Sequence, residues 1–198
     1  LNEKFAGELG QITAKNGQFV HSKTGTPVRF WAVNGPPDDL KGDDLRRCAR
    51  MLAKYGVNLL RVHTAMFDKE GEPDLAKVER AHEIVAAMKA EGIYTHFSIY
   101  FPLWFSPRAD LDWLPGYNGQ QHPFAALMFN PKFQAKHRAW LKALLTTPGE
   151  KSKQTLLTDP AVFGIEIQNE DSFFFWTFAD KNIPDAQLRI LEQQFHAW

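Results

Sequence analysis

Residues 161–171 read Ala-Val-Phe-Gly-Ile-Glu-Ile-Gln-Asn-Glu-Asp, and this stretch decides the fold. Its apolar start, residues 162–165, predicts a buried strand. Because side chains alternate along a strand, Glu166, Gln168 and Glu170 are expected on one face. Carboxylates on such a strand must be solvated, paired or used in chemistry. In a parallel barrel the inner face of the strand points to the axis, and Glu170 would lie at the C-terminal rim.

Strand and helix patterns alternate four times along the chain, which predicts a parallel sheet with right-handed crossovers. Before them, the turn motifs at residues 15–18 and 23–27 predict a small β-hairpin within residues 1–27. The predicted fold class is therefore α/β, a parallel (β/α) barrel. The predicted strands are 28–33, 57–63, 93–99 and the stretch from 162, and the predicted helices are about 43–54, 73–92, 131–145 and 184–198.

Residues 28–198 supply four βα units, which is half of a TIM barrel, because closure takes eight strands and roughly 250 residues. We expect a single domain over residues 1–198, since no linker or low-complexity stretch divides the chain. An open four-stranded sheet would expose its edges and an apolar inner face. The chain is therefore expected either to be the N-terminal half of a longer protein or to pair with another half-barrel.

The composition is that of an ordinary globular protein, with 198 residues, zero formal net charge and 44% hydrophobic residues. Balanced charge without a basic run argues against a nucleic-acid partner. No apolar run approaches the length of a membrane span. Cys48 is the single cysteine, which excludes an intrachain disulfide and a cysteine metal cluster. The chain begins at Leu1, so a signal peptide is neither indicated nor excluded, and secretion or a periplasmic location is compatible with the sequence.

The pair Asn169-Glu170 at the end of a hydrophobic strand, with Glu166 four residues before, resembles the fourth strand of clan A glycoside hydrolases, and most of all the cellulase-like family 5. The resemblance implies a retaining hydrolase of β-linked glycans such as β-glucan or mannan. It implies that Glu170 is the general acid/base and that Asn169 hydrogen-bonds the sugar 2-hydroxyl. Arg61 matches the arginine with which that family supports its catalytic carboxylates; a surface ion pair is the alternative.

Two positions depart from the family pattern. Many members have proline where this chain has Asp171, and many have histidine near the position of Tyr100. A tyrosine can still donate to a substrate oxygen. His96 lies deeper in the third strand and is expected to act as a supporting residue behind the site, as is Glu166.

Two further polar residues are expected near the strand ends. His63 has the same facing parity as Arg61, and Asn34 ends the first strand. Both are candidates for binding a sugar hydroxyl, although His63 is equally compatible with a structural role and Asn34 with a simple turn. Neither the histidines nor the aspartates show metal-ligand spacing, and no phosphate-binding loop is present, so no metal or cofactor is expected.

Aromatic residues follow the third and fourth strands. Trp104, Trp113 and Trp176 join Tyr100 as candidates for stacking on the apolar faces of sugar rings. The alternatives are loops that pack on themselves or a contact between chains, where aromatic residues are also enriched.

Retaining hydrolysis requires a second carboxylate about 5 Å from the first. The resemblance assigns it to a seventh strand, which this chain lacks, and Glu166 would lie roughly 13 Å from Glu170 along a continuous strand. We therefore expect a homodimer, a higher assembly or a longer polypeptide to complete the barrel around an oligo- or polysaccharide. The alternative is a non-catalytic carbohydrate-binding or vestigial module.

Overall fold

The computed structural model describes residues 3–198. Within them the chain forms two compact units. Unit 1 contains residues 3–64, 75–98 and 144–166, and unit 2 contains residues 65–74, 99–143 and 167–198. A single domain over residues 1–198 stays a prediction.

Unit 1 begins with the predicted hairpin. Strands β1 (Ile12–Lys15) and β2 (Gln18–His21) are antiparallel. Asn16 and Gly17 connect them with φ angles of 51° and 73°, the left-handed conformation that a two-residue hairpin turn with the correct twist requires. Phe19 of β2 packs against Phe30 and Phe163, with ring centroids 6.0 and 5.2 Å apart. The hairpin is thereby fixed to the N-terminal end of the main sheet.

The main sheet of unit 1 is parallel, in the order β3-β4-β5-β6. Its strands are β3 (Ala32–Asn34), β4 (Leu59–His63), β5 (Tyr94–Ser98) and β6 (Val162–Glu166). With the alternating helices, this arrangement confirms the prediction of half a (β/α) barrel preceded by a small hairpin. The first strand is shorter and later than the predicted 28–33.

Two helices of unit 1 follow β3 and β4. Helix α1 (Gly42–Lys54) buries Leu45 and Ala49, and α2 (Leu75–Ala90) buries an apolar stripe that includes Val78 and Met88. Gly56 and Gly92, with φ of 84° and 76°, lie just past their C-terminal ends, where glycine readily takes the left-handed conformation that ends a helix. Both helices lie within two residues of their predicted bounds.

Strand β6 contains a bulge that the sequence did not predict. Thr95 pairs with Val162, whereas His96 pairs with Gly164, so Phe163 is an extra residue. The shift brings Glu166 opposite Ser98. Without it, Ile165 would take that place and the Glu166 side chain would point to the other face of the sheet.

The prediction that strand alternation continues to Glu170 is wrong. Strand β6 ends at Glu166, and the chain then turns. Glu170 has a φ of 41°, which is far from the extended conformation of a strand. The common face expected for Glu166, Gln168 and Glu170 is therefore absent, and so is the basis of the 13 Å separation.

Unit 2 contains α3 (Ala126–Phe129), most of α4 (Pro131–Thr146) and α5 (Asp185–Ala197). Helices α4 and α5 begin at Pro131 and directly after Pro184, the positions from which their starts were predicted. Helix α3 was not predicted. The core of the unit is aromatic: Phe67 stacks on Trp140 with centroids 4.1 Å apart, and Tyr100 and Phe133 pack beside them. Across residues 3–198, no helix is long and apolar enough to cross a membrane.

Candidate functional site

The C-terminal ends of the four main strands bring five polar side chains together in unit 1. We call them the inner-face cluster: Asn34, Arg61, His63, Ser98 and Glu166. Asn34 is level with Arg61, and His63, Ser98 and Glu166 are level with one another on three neighbouring strands. Because strand residues two apart share a face, all five lie on the same side of the sheet.

Arg61 is the centre of the inner-face cluster. Its Nε and Nη2 atoms each donate to Glu166 at 2.8 Å, one bond to each carboxylate oxygen. The same guanidinium donates to Ser98 Oγ at 3.2 Å and to Asn34 Oδ1 at 3.3 Å. A planar guanidinium suits such a bidentate pair, which fixes the orientation of both side chains. Glu166 is therefore engaged by Arg61, and its supporting role behind the site stays a prediction.

Ser98 links His63 to the carboxylate. Its Oγ lies 2.8 Å from His63 Nδ1 and donates to Glu166 Oε1 at 3.1 Å. Arg61 and His63 both hydrogen-bond Ser98, so the two side chains lie on the same face of the sheet, as expected. Ser98 was missed by the sequence reasoning, although it lies two residues from His96, at the parity that predicts the inner face.

His96 lies one level deeper than Ser98, opposite Gly164. A Cβ atom on Gly164 would lie 3.4 Å from His96 Nδ1, so the glycine leaves room for the ring. Burial lowers the pKa of His96, an effect that the nearby Glu166 opposes. Burial thus favours the neutral imidazole, and the supporting role of His96 stays a prediction.

The turn after β6 belongs to unit 2 and carries the predicted acid/base. The Asn169 N–H donates to the Tyr100 carbonyl at 3.2 Å. Glu170 is exposed and left-handed, a backbone conformation that costs a residue with a Cβ atom roughly 1–2 kcal/mol. Such strain persists only where the surroundings enforce it, and it concentrates at functional positions.

Asp171, next in the chain, is buried with 9% of its surface exposed. Its two carboxylate oxygens accept the Ala125 N–H at 2.8 and 3.0 Å, and Gln168 Nε2 donates to Oδ2 at 2.6 Å. Burial raises the pKa of Asp171 to about 6, because the hydrogen bonds that favour the ionised form compensate only in part. The sequence offered one signal for this residue, the absence of the family's proline.

The predicted aromatic residues differ in exposure. Trp176 is 82% exposed, and Trp104 is half-buried beside Phe101 at 5.8 Å. Trp113 is buried and stacked on Phe105 at 5.5 Å, and Tyr100 is fully buried. Trp113 and Tyr100 therefore lack the exposed ring face on which the sugar-stacking idea rested, and their roles in binding stay predictions.

Within residues 3–198, no group of three or more His, Cys, Asp or Glu side chains is placed to hold a metal ion. The polar groups of the inner-face cluster are a carboxylate, a guanidinium, an imidazole, an amide and a hydroxyl.

Comparisons with known proteins give structural matches alone. No protein-family model matches the chain, and no curated protein matches it in sequence. An endo-1,4-β-mannanase from Rhizomucor miehei has a TM-score of 0.60 at 14% identity, covering 81% of this chain and 48% of the mannanase. An exo-β-1,4-mannosidase from Opitutaceae bacterium strain TAV5 has a TM-score of 0.54 at 17% identity, covering 79% of this chain and 27% of that one.

An endogalactoceramidase has a TM-score of 0.53 at 20% identity, covering 82% of this chain and 44% of that one. The chain thus spans about a quarter to a half of the length of these structures. At such identities the likeness concerns the fold, and function has to be argued from the site. The resemblance noted in the sequence is confirmed for the fold: the chain forms half of a (β/α) barrel that is similar in structure to part of these three proteins.

Proposed function

We propose that this chain carries the acid/base part of a glycoside hydrolase that acts on β-linked glycans. Glu170 is the general acid/base, protonating the leaving oxygen and then activating water in a retaining reaction. Asn169 binds the sugar 2-hydroxyl beside it. The proposal rests on one observation above all: Glu170 is an exposed carboxylate held in a left-handed turn directly after the fourth parallel strand.

The inner-face cluster supports the same proposal. A bidentate Arg61–Glu166 pair with Ser98 and His63 is a preorganised polar surface at the C-terminal ends of the strands, and in (β/α) barrels those ends carry the chemistry. Arg61, His63 and Asn34 are proposed to contact sugar hydroxyls or to orient the carboxylates. Trp104 and Trp176 are proposed to stack on sugar rings.

The proposed substrate class is a β-1,4-linked mannan or mannoside, with β-glucans as the next class to test. Two of the structural matches are described as acting on β-1,4-mannosidic linkages. Hydrolysis of a panel of aryl β-glycosides, with mannosides and glucosides compared, tests this substrate class.

The second carboxylate must come from outside the four strands described. We propose that further barrel strands, from a second copy, another chain or a longer polypeptide, supply it within about 5 Å of Glu170. The four-stranded sheet of unit 1 supports this proposal. Within residues 3–198, its outer strands β3 and β6 each pair with one neighbour alone, which leaves two edges where further strands can pair.

The decisive experiment compares wild type with Glu170→Gln on aryl β-mannosides and β-glucosides. We expect the substitution to reduce kcat by more than about 100-fold, since a proton donor in the transition state is worth about that much. The control is Glu192→Gln, an exposed position in α5. Equal rates for wild type and Glu170→Gln would overturn the assignment.

A non-catalytic carbohydrate-binding module is the second candidate, favoured by the highly exposed Trp176. Under this alternative the chain binds mannan oligosaccharides without cleaving them, and Glu170→Ala leaves the affinity unchanged. Isothermal titration of mannohexaose into wild type and Glu170→Ala, read beside the hydrolysis assay, separates the two candidates, because tight binding by both proteins without turnover by wild type supports the module.

A further inference from the structure

The carboxyl of Asp171 has a position in unit 2 that the proposed reaction leaves unexplained. It lies next to Glu170 in the chain yet is buried, and it joins two separate segments by accepting from Ala125 and Gln168. Both Ala125 and Glu170 have left-handed backbones, with φ of 56° and 41°. Conformations of this kind need external support, and the Asp171 carboxylate bonds to one of the two residues and adjoins the other.

We propose that Asp171 is the positioning residue for Glu170, holding the turn of residues 168–171 so that the acid/base carboxylate is presented from a fixed backbone. This inference rests on the proposed function of Glu170 and extends it. The hydrogen bond from Ala125 ties the turn to another segment of unit 2. The hydrogen bond from Gln168 links the first residue of the turn to its last. Neither contact uses the Glu170 side chain, which stays exposed for substrate.

The protonation state of Asp171 matters for this role. The ionised carboxylate accepts hydrogen bonds with both oxygens, whereas a protonated carboxyl presents an O–H that opposes the N–H of Gln168 or Ala125. Two tyrosines, Tyr100 and Tyr117, interact electrostatically with Asp171, and burial raises the pKa of both phenols above the usual value. Both are neutral in the range where Asp171 titrates, so neither contributes a change of charge there.

His137 is a further titratable group near the turn: its ring lies 6.2 Å from that of Tyr100, it hydrogen-bonds the backbone of Ile167, and burial lowers its pKa. A transition that disappears in Asp171→Asn therefore belongs to Asp171 and not to His137.

The hydroxyls of Tyr100 and Tyr117 are buried and have no hydrogen-bond partner among residues 3–198. The groups that favour the ionised form of Asp171 are instead its hydrogen-bond donors, the Ala125 and Ser172 backbone N–H groups and the Gln168 side chain.

The test is amide NMR of the full chain as a function of pH, for wild type and Asp171→Asn. Asparagine keeps the shape of the side chain and one acceptor oxygen but cannot ionise. In wild type we expect the amides of Ala125 and Glu170 to titrate together with a midpoint near pH 6. In Asp171→Asn that transition should vanish. A Glu170 amide that shows no such transition in wild type would overturn the proposal.

A second variant and a control complete the design. Gln168→Met removes one donor at similar side-chain volume and should shift the Glu170 amide, whereas Asp180→Asn, at an exposed position of the same unit, should leave it unchanged. In the hydrolysis assay, Asp171→Asn should lower kcat by about 10-fold or more, with KM within a factor of about two, since misplacing a catalytic group has effects of this size. An unchanged kcat beside an active wild type would contradict positioning.

The two proposals fail in different ways. If Glu170→Gln is as active as wild type while the Glu170 amide still follows Asp171, the acid/base assignment is overturned and the structural contact stands. If Glu170→Gln is inactive while Asp171→Asn has wild-type rates and amide shifts, the positioning role is overturned and the acid/base assignment stands.

Discussion

At the scale of single residues, the Arg61–Glu166 pair decides how the inner-face cluster is held. The two side chains are 23% and 25% exposed, so the pair is shielded from water more than a surface ion pair but is not fully desolvated. At such partial exposure, the contribution of an ion pair to stability depends on its geometry. Here the pair has two parallel hydrogen bonds of 2.8 Å. Removing one partner leaves the other charge partly buried without compensation.

We therefore expect Arg61→Ala to lower the free energy of unfolding by about 1–3 kcal/mol, and Arg61→Lys to recover less than half of it, because an ammonium cannot form the bidentate pair. Urea unfolding measures both. The matched control is Arg46→Ala, whose exposed pair with Asp43 is expected to contribute within about 0.5 kcal/mol. If Arg61→Ala costs no more than this control, the cluster is not held by the pair.

Among the secondary-structure elements, the N-terminal hairpin is attached to the main sheet of unit 1 by a contact of aromatic rings. Its Phe19 is 47% exposed, but the ring edge packs on Phe30 and Phe163. Phe163 is the bulged residue of β6, and it also packs on Phe30 at 4.8 Å. The bulge therefore serves two purposes, since it provides the ring on which the hairpin docks and places Glu166 on the inner face.

Phe19→Ala is expected to lower the free energy of unfolding by about 1–2 kcal/mol, less than for a fully buried phenylalanine because half of the ring is already in water. Phe174→Ala, at a ring that is 97% exposed, should change it by no more than about 0.5 kcal/mol. Thermal unfolding of the two variants provides the comparison. Equal stability of both would mean that the hairpin does not contribute to the fold of unit 1.

The element pattern was largely predictable from the sequence, and the site only in part. Pro131 and Pro184 marked helix starts, and Gly56 and Gly92 marked helix ends, since these residues act through local backbone geometry. The end of β6 was not predictable, because it depends on contacts between residues far apart in the chain. The bulge arises in the pairing with β5, and the turn accepts a hydrogen bond from Ala125, 46 residues before Asp171. The burial of Trp113 and Tyr100 was missed for the same reason: packing partners, not local pattern, decide which aromatic rings face solvent.

At the scale of the whole molecule, the question is what completes the sheet of unit 1. Within residues 3–198, β3 and β6 each pair with a neighbour on one side alone. Ala32 and Asn34 of β3 are exposed, and every residue of β6 is half-buried. Strand edges of this kind readily pair with further strands unless charge or covering segments prevent it. The exposed strand edges and the need for a second carboxylate together predict that the chain associates with further strands.

We expect light scattering of the 198-residue chain to give the mass of two or more copies. Ala32→Lys places a charge on the exposed edge strand, on the same face as Asn34, and should reduce the mass to that of one chain, because a charge on an edge strand opposes pairing. Phe174→Lys is the competing variant, since exposed aromatic residues also mediate association. If Phe174→Lys dissociates the assembly and Ala32→Lys does not, copies meet through the aromatic run of residues 173–176 and a second copy does not complete the sheet. A monomeric wild type would contradict self-association altogether, and the second carboxylate would then have to come from another chain or a longer polypeptide.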